Sequence, residues 1–112
     1  MEINVNDYVR IDGYISKIEH LRTSSSGKTY AQWKQPNGLL ASGNINIIEK
    51  SSPNIGKLLK VGDFIDGMPI VEIEDTTIHT LGGWFIDVDD VEDLVTSIVT
   101  KEMFEQMEYK IN

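Results

Sequence analysis

Two segments of the chain share one alternating pattern, and each is interrupted by an Asp-Gly pair. Apolar and polar residues alternate through residues 5–19, with the Asp-Gly pair at 12–13. Residues 61–74 repeat the arrangement, with the pair at 66–67. A period of two places apolar side chains on one face of a strand, and Asp-Gly suits the tight turn of a β-hairpin. The sequence therefore predicts two hairpins of one design, which can arise with or without duplication.

Short strands are predicted through most of the remaining chain. Gly82 and Gly83 separate two alternating segments and predict a third hairpin turn, whereas Gly43 is a candidate β-bulge within a longer segment. The loop at residues 23–27 is polar and rich in serine. The further segments predicted as strands are residues 28–34, 39–49, 76–81, 84–88 and 94–99.

Two short helices complete the predicted fold. Ser52 and Pro53 suit a helix start, and Thr100 suits the N-cap of a C-terminal helix over residues 101–108. The apolar stripe of that helix comprises Met103, Phe104 and Met107. We therefore predict a single domain over residues 1–112 that is mainly β. It is a small barrel or sandwich of short antiparallel strands with a short internal helix and a C-terminal helix.

Missing and scarce residue types exclude several classes of protein. The 112 residues contain no cysteine, which excludes disulfides, iron-sulfur ligation and a thiol nucleophile, and the two histidines, His20 and His79, are isolated. We expect no metal and no cofactor. No apolar run reaches the ~18 to 20 residues of a membrane span, and the N-terminus lacks the features of a secretory signal. The expected location is cytoplasmic, with no membrane partner.

The net charge of −8 is distributed unevenly along the chain. Residues 1–60 contain eight Lys/Arg and five acids, hence +3, whereas residues 61–112 contain two lysines and thirteen acids, hence −11. A surface of one sign steers ligands of the opposite sign. The two halves therefore predict faces for different partners, unless folding interleaves them and their fields cancel.

Two segments resemble a known group of proteins. Residues 98–109 contain a Val-Thr-Lys-Glu helix, and residues 54–67 contain a Val-Gly-Asp-aromatic hairpin. In both features the chain resembles small uncharacterised proteins encoded by phages and prophages of Gram-positive bacteria. The shared features are a cap, a turn and a core stripe. The resemblance therefore implies a phage accessory gene acting in a bacterial host, and it assigns no catalytic or binding residue.

A basic loop is the first candidate binding site. Arg22 and Lys28 flank three serines, and these cations and hydroxyls suit an anion contact. The Ser-Gly-Lys-Thr sequence at 26–29 imitates the end of a phosphate-binding P-loop. However, Arg22 stands where the first glycine is required, and a strand follows instead of a helix. The loop either holds an anion without hydrolysing it or is a plain solvated hairpin loop.

Aromatic residues near this loop are the second candidate. Tyr30, Trp33 and Lys34 combine rings that stack on a base with a cation that neutralises phosphate. Residues 30 and 33 point to opposite faces of a strand, and we expect Tyr30 inward and Trp33 partly exposed. Trp84, beside a Gly-Gly turn, either covers a ligand or anchors the core. The predicted ligand-binding residues are Arg22, Lys28, Trp33, Lys34 and Trp84.

Five acids lie within seven residues of the second half, namely Asp87, Asp89, Asp90, Glu92 and Asp93. The run lacks the glycine and the spacing of a calcium-binding EF-hand loop, and no serine elbow accompanies it. It is either a solvated acidic turn or a mimic of nucleic-acid phosphates. We expect no catalytic residue and no enzyme activity.

Three functions from different classes follow. The first is a non-enzymatic phage counter-defence protein that sequesters a small anionic nucleotide immune signal. The second is an acidic, nucleic-acid-mimicking inhibitor of a host nuclease or CRISPR effector. The third is a structural or replication-associated phage adaptor. The partner is thus a small nucleotide or a host defence protein, and a homo-oligomer is expected because a concave site is easiest to build between protomers.

Overall fold

Ten short strands form two antiparallel sheets in the computed structural model, which describes residues 2–107. The first sheet, in the order β4-β3-β2-β1-β5, comprises β1 (Tyr8–Ile11), β2 (Tyr14–Thr23), β3 (Thr29–Lys34), β4 (Leu40–Asn44) and β5 (Lys50–Ser52). The second, in the order β10-β6-β7-β8-β9, comprises β6 (Phe64–Ile65), β7 (Met68–Glu74), β8 (Thr77–Thr80), β9 (Phe85–Asp87) and β10 (Ile98–Val99). Neither sheet closes into a barrel within the described residues. The predicted mainly β fold is confirmed, and the sandwich is the form that fits.

The two Asp-Gly pairs form the predicted hairpin turns. Asp12 (φ 51°) and Gly13 (φ 82°) connect β1 to β2, and Asp66 (φ 49°) and Gly67 (φ 82°) connect β6 to β7. Positive φ at both central residues gives a turn whose twist matches that of the flanking strands. The chain therefore uses one hairpin design in each sheet.

The buried apolar residues form two hydrophobic clusters, one at each sheet. The first cluster comprises Val9, Ile11, Ile18, Ala31, Trp33 and Ile48. The second comprises Leu59, Ile65, Ile70, Ile78, Ile86, Val88 and Val91. Ile15 of β2 packs against the second cluster and so joins the halves. Gly56 lies directly against Val88, because a Cβ on Gly56 would lie 2.1 Å from the Val88 carbonyl oxygen.

A buried ion pair links the first sheet to the segment that precedes β6. The guanidinium of Arg10 donates to the two carboxylate oxygens of Asp63, at 2.6 Å and 2.9 Å, and to the backbone oxygen of Leu58 at 3.1 Å. It also donates to Glu102 at 2.7 Å. Burial alone would lower the pKa of Arg10, but the hydrogen bonds and charges of Asp63 and Glu102 outweigh burial and hold that pKa above its ordinary value.

The C-terminal helix α2 (Lys101–Met107) is anchored at its first turn. The Oγ1 atom of Thr100 accepts from the backbone N–H of Met103 at 3.2 Å, which confirms the predicted N-cap. Asp63 accepts from the backbone N–H of Lys101 at 2.8 Å. The ion pair that joins the two halves therefore also fixes the start of the helix.

The predicted apolar stripe of α2 is only partly covered. Met103 is half-buried, whereas Phe104 is exposed and its ring centroid lies 4.5 Å from that of Phe64. The side chain of Met107 and residue Glu108 lie outside the described residues. No helix within residues 2–107 is both long enough and apolar enough to cross a membrane.

Two asparagines start 3-10 helices in the first half of the chain. Asn44 accepts from a backbone N–H two residues ahead, so the strand predicted there ends and a 3-10 helix, Ile45–Ile47, follows. Asn54 caps a second 3-10 helix, Ile55–Leu58, in the same way. The predicted helix is thus a single 3-10 turn, and its predicted cap at Ser52 is wrong.

Three further local predictions are wrong. The acidic run is helical, with a 3-10 helix at Val88–Asp90 followed by α1 (Val91–Leu94), and only β10 remains of the strand predicted over residues 94–99. Gly43 is not a bulge, since it pairs regularly with Ala31. The irregularity lies instead in β2, between Ile18 and His20.

Candidate functional site

The outward face of β2, β3 and β4 gathers polar and cationic side chains. Arg22 lies opposite Tyr30, and His20 lies opposite Gln32. Lys34 shares this face, because the buried residues of β3 alternate with residues 30, 32 and 34. We call the following set the basic face: His20, Arg22, Tyr30, Gln32, Lys34 and Ser42. Two of the five predicted ligand-binding residues, Arg22 and Lys34, are therefore brought onto one surface.

A cavity of about 420 Å³ lies elsewhere, but one of about 370 Å³ opens on the basic face itself. The side chains that line the cavity on the face include His20, Arg22, Tyr30, Gln32 and Ser42, and none of its lining residues is acidic. Tyr30 is half-buried, so its ring is held in place while part of it stays accessible. A guanidinium, an aromatic ring, an amide and a hydroxyl can together bind a phosphate and stack on a base.

The serine-rich loop contributes less than its sequence predicts. Thr23 lies opposite Thr29, so the loop begins one residue pair beyond Arg22. The hydroxyls of Ser24 and Ser26 are hydrogen-bonded to each other at 2.8 Å. The exposed Lys28 does not line the cavity of the basic face. An anion held at Arg22 would therefore meet β-strand side chains rather than the loop serines.

Trp33 belongs to the core, and the predicted orientation of β3 is wrong. Trp33 is only 3% exposed, and its Nε1–H donates to the hydroxyl of Tyr14 at 2.8 Å. It lies between Ile18 of β2 and Ala41 of β4 on the covered face of the sheet. The alternation in β3 therefore places Tyr30 outward, and Tyr30 replaces Trp33 as the ring available to a ligand.

Trp84 lies in the turn between β8 and β9, at the second sheet. It lines neither the cavity of the basic face nor the cavity of about 420 Å³. A Cβ on Gly82 would lie 3.3 Å from the Trp84 ring and 3.1 Å from Met68 Sδ. The structure therefore separates Trp84 from Arg22 and Lys34.

The cavity of about 420 Å³ is a cleft between the two halves that the sequence did not predict. Its half-buried apolar walls include Ile15, Ile55, Val95, Ile98 and Met103, and Lys34 stands at its edge. Across it, the Tyr8 hydroxyl donates to Glu92 Oε1 at 2.6 Å. This hydrogen bond, then burial and the charge of Glu92, raise the pKa of Tyr8 above its ordinary value. The two residues are 84 positions apart, so no local pattern could reveal the contact.

The charge asymmetry of the sequence persists in the fold. All strands of the first sheet come from residues 8–52 and all strands of the second from residues 64–99, so the halves do not interleave. Three acids of the acidic run have structural partners. Asp87 accepts from the backbone N–H of Asp89, Asp89 accepts from Asn54, and Glu92 accepts from the Tyr8 hydroxyl.

Within residues 2–107, no group of histidine and carboxylate side chains has the arrangement needed to hold a metal ion. No family model, curated protein or solved structure matches this chain. The basic face and the uneven distribution of charge are therefore the features of the chain that bear on its function.

Proposed function

We propose that this protein is a non-enzymatic binding protein of phage counter-defence, which sequesters a small anionic nucleotide in the cytoplasm of a bacterial host. The ligand binds on the basic face. The observation that carries the proposal is the cross-strand pair of Arg22 and Tyr30 beside a cavity of about 370 Å³. A cavity of this size falls within the range of small-molecule sites. The phage setting rests on the resemblance of the C-terminal helix and the second hairpin.

The side chains of the basic face have complementary roles in this proposal. Arg22 pairs with a phosphate through two N–H donors, and Tyr30 stacks on the base. Gln32 and Ser42 supply donors and acceptors for the polar edge of the base. Lys34 does not line the cavity, but it is exposed on the same face of β3, and its positive charge attracts an anionic ligand to the face. Sequestration requires only affinity, so this role needs no catalytic group on the basic face.

Binding should show as a rise in melting temperature. A thermal-shift panel of cyclic di- and trinucleotides, cyclic ADP-ribose isomers and NAD tests the ligand class. A ligand at ~100 times its Kd adds about 2.7 kcal/mol to the free energy of unfolding, which amounts to several degrees in a domain of this size. For the compound that binds, Tyr30→Ala should raise Kd about 5- to 150-fold and Arg22→Ala about 10- to 150-fold, as measured by calorimetry.

Two control variants distinguish the loss of specific contacts on the basic face from a general loss of positive charge or of folded structure. Lys57→Ala removes an exposed cation away from the basic face and should leave Kd unchanged. Tyr30→Phe keeps the stacking ring and should retain most of the affinity. Unchanged Kd in both Arg22→Ala and Tyr30→Ala, or no shift with any compound of the panel, would remove the basis for assigning the basic face.

A second function is favoured by the separation of charge between the sheets. If the acidic half imitates nucleic acid, it competes with duplex DNA for the positively charged channel of a nuclease. Only Asp90 and Asp93 of the acidic run are suitable for a test, because the other three acids hold hydrogen bonds in the fold. Asp90→Asn with Asp93→Asn should slow association with a Cas9-type nuclease on the order of threefold and weaken its salt dependence.

The matched control removes the same charge from the other half. Glu2→Gln with Glu19→Gln alters two exposed acids of residues 1–60. This double variant should leave the association rate nearly unchanged if the nuclease binds the acidic half alone. Equal effects of the two double variants would contradict a localised mimic. If the unmodified protein does not compete with DNA at low salt, nucleic-acid mimicry is excluded.

A further inference from the structure

Large apolar side chains are exposed together at one end of the second sheet. Met68, Leu81, Trp84 and Phe85 are all exposed, Phe85 by 68%. Met68 and Trp84 flank Gly82, and the backbone N–H of Leu81 donates to the oxygen of Pro69, the neighbour of Met68, at 3.0 Å. We call these four residues the Trp84 patch. Several large apolar side chains exposed at one end of a sheet are typical of a docking site.

The outer strand of the first sheet is also unprotected. β4 is an end strand, and its sequence, Leu-Ala-Ser-Gly-Asn, contains neither a charge nor a proline. Its pairing with β3 is regular, without a bulge. Leu40 at the start of β4 and Leu39 just before it are exposed, Leu39 by 64%. Natural sheets block such edges with charges, prolines or bulges, because free backbone N–H and C=O groups pair with another strand.

The second sheet presents a matching edge. β9 is its end strand and begins at Phe85 of the Trp84 patch. The only charged residue of β9, Asp87, accepts from the Thr76 hydroxyl and from the backbone N–H of Asp89, so it is occupied within the chain. Each sheet therefore ends in a strand that lacks a free charge and is flanked by exposed apolar side chains.

Charge decides which two edges meet. β4 belongs to the segment of +3 and β9 to the segment of −11. Pairing β9 with β9 would bring two strongly acidic halves together, whereas pairing β9 with β4 brings opposite charges together. We propose that the β9 edge and Trp84 patch of one copy bind the β4 edge of a second copy, with Leu39 and Leu40 covering the patch. Such a head-to-tail contact repeats and yields a ring or a filament.

The experiment blocks each edge separately. Leu40→Lys places a charge on β4, and Phe85→Lys places one on β9. Sedimentation equilibrium should show that the unmodified protein gains mass with concentration, and less so at high salt, whereas each variant alone stays a monomer because its association is weakened on the order of tenfold or more. An equimolar mixture of the two variants should form a dimer and nothing larger, since one intact β4 edge and one intact β9 edge remain.

A third variant serves as the control. Leu94→Lys alters an exposed leucine of α1, away from both edges, and should associate like the unmodified protein. Circular dichroism and melting temperature establish that all three variants are folded. A monomer at every concentration would overturn the proposal, and so would a dimer that survives Leu40→Lys, because that result indicates a symmetric β9 contact. Nucleotide binding is not needed for either outcome, so this test is independent of the proposed function.

Discussion

Replacing Asp63 with alanine should lower the free energy of unfolding by about 3 to 5 kcal/mol. Arg10 and Asp63 are 1% and 0% exposed, and their two hydrogen bonds measure 2.6 Å and 2.9 Å. Without the carboxylate, a guanidinium remains buried with too few partners, and the backbone N–H groups of Lys60 and Lys101 each lose an acceptor at 2.8 Å. Because domains are typically stable by only about 5 to 15 kcal/mol, this is a large fraction of the total.

Chemical denaturation of three variants isolates the cause. Glu49→Ala removes a half-exposed carboxylate 3.6 Å from the Nε atom of Arg10 and should cost less than about 1 kcal/mol. Arg10→Met with Asp63→Leu removes both charges and should be more stable than Asp63→Ala, because no unpaired charge remains buried. A midpoint for Asp63→Ala equal to that of the unmodified protein would show that the ion pair does not hold the two halves together.

The hairpins could be predicted because their causes are local. Asp12 with Gly13 and Asp66 with Gly67 adopt positive φ at adjacent positions, a requirement that few other residue pairs meet. The N-cap at Thr100 is equally local, since its acceptor and donor are three residues apart. Features of this kind depend on a few neighbouring residues, so they can be predicted from the sequence.

Periodicity alone does not show which face of β3 is covered, and the residues of the candidate site depend on this. Alternation divides β3 into two faces, but a shift of one residue exchanges the covered face with the open one. Ile18 and Ala41, which lie opposite Trp33, determine which face is covered, and they come from two other strands. The ion pair of Arg10 with Asp63 spans 53 positions and left no local signal. The sequence could therefore single out Arg22 and Lys34, which the fold places on one face and whose part in binding stays a prediction, but not the ring that shares that face with them.

Trp33→Ala should destabilise the protein by about 3 to 5 kcal/mol, the cost of deleting a buried indole. The ring is 3% exposed, and its Cη2 atom packs close to Gly43, since a Cβ on Gly43 would lie 3.4 Å from it. The variant also removes the Nε1–H that donates to Tyr14 at 2.8 Å. The midpoint of urea unfolding, at an unchanged slope, measures the loss.

Trp33→Phe provides the decisive comparison between a core tryptophan and a ligand-binding one. It keeps most of the buried apolar volume and should cost less than the alanine variant, with the remaining loss due to the smaller ring and the unpaired Tyr14 hydroxyl. At a temperature where both variants are folded, each should bind nucleotide as tightly as the unmodified protein, because Tyr30 supplies the accessible ring on the basic face. An unchanged melting temperature with weakened binding would instead place Trp33 at the ligand and require the opposite face of β3 to be the open one.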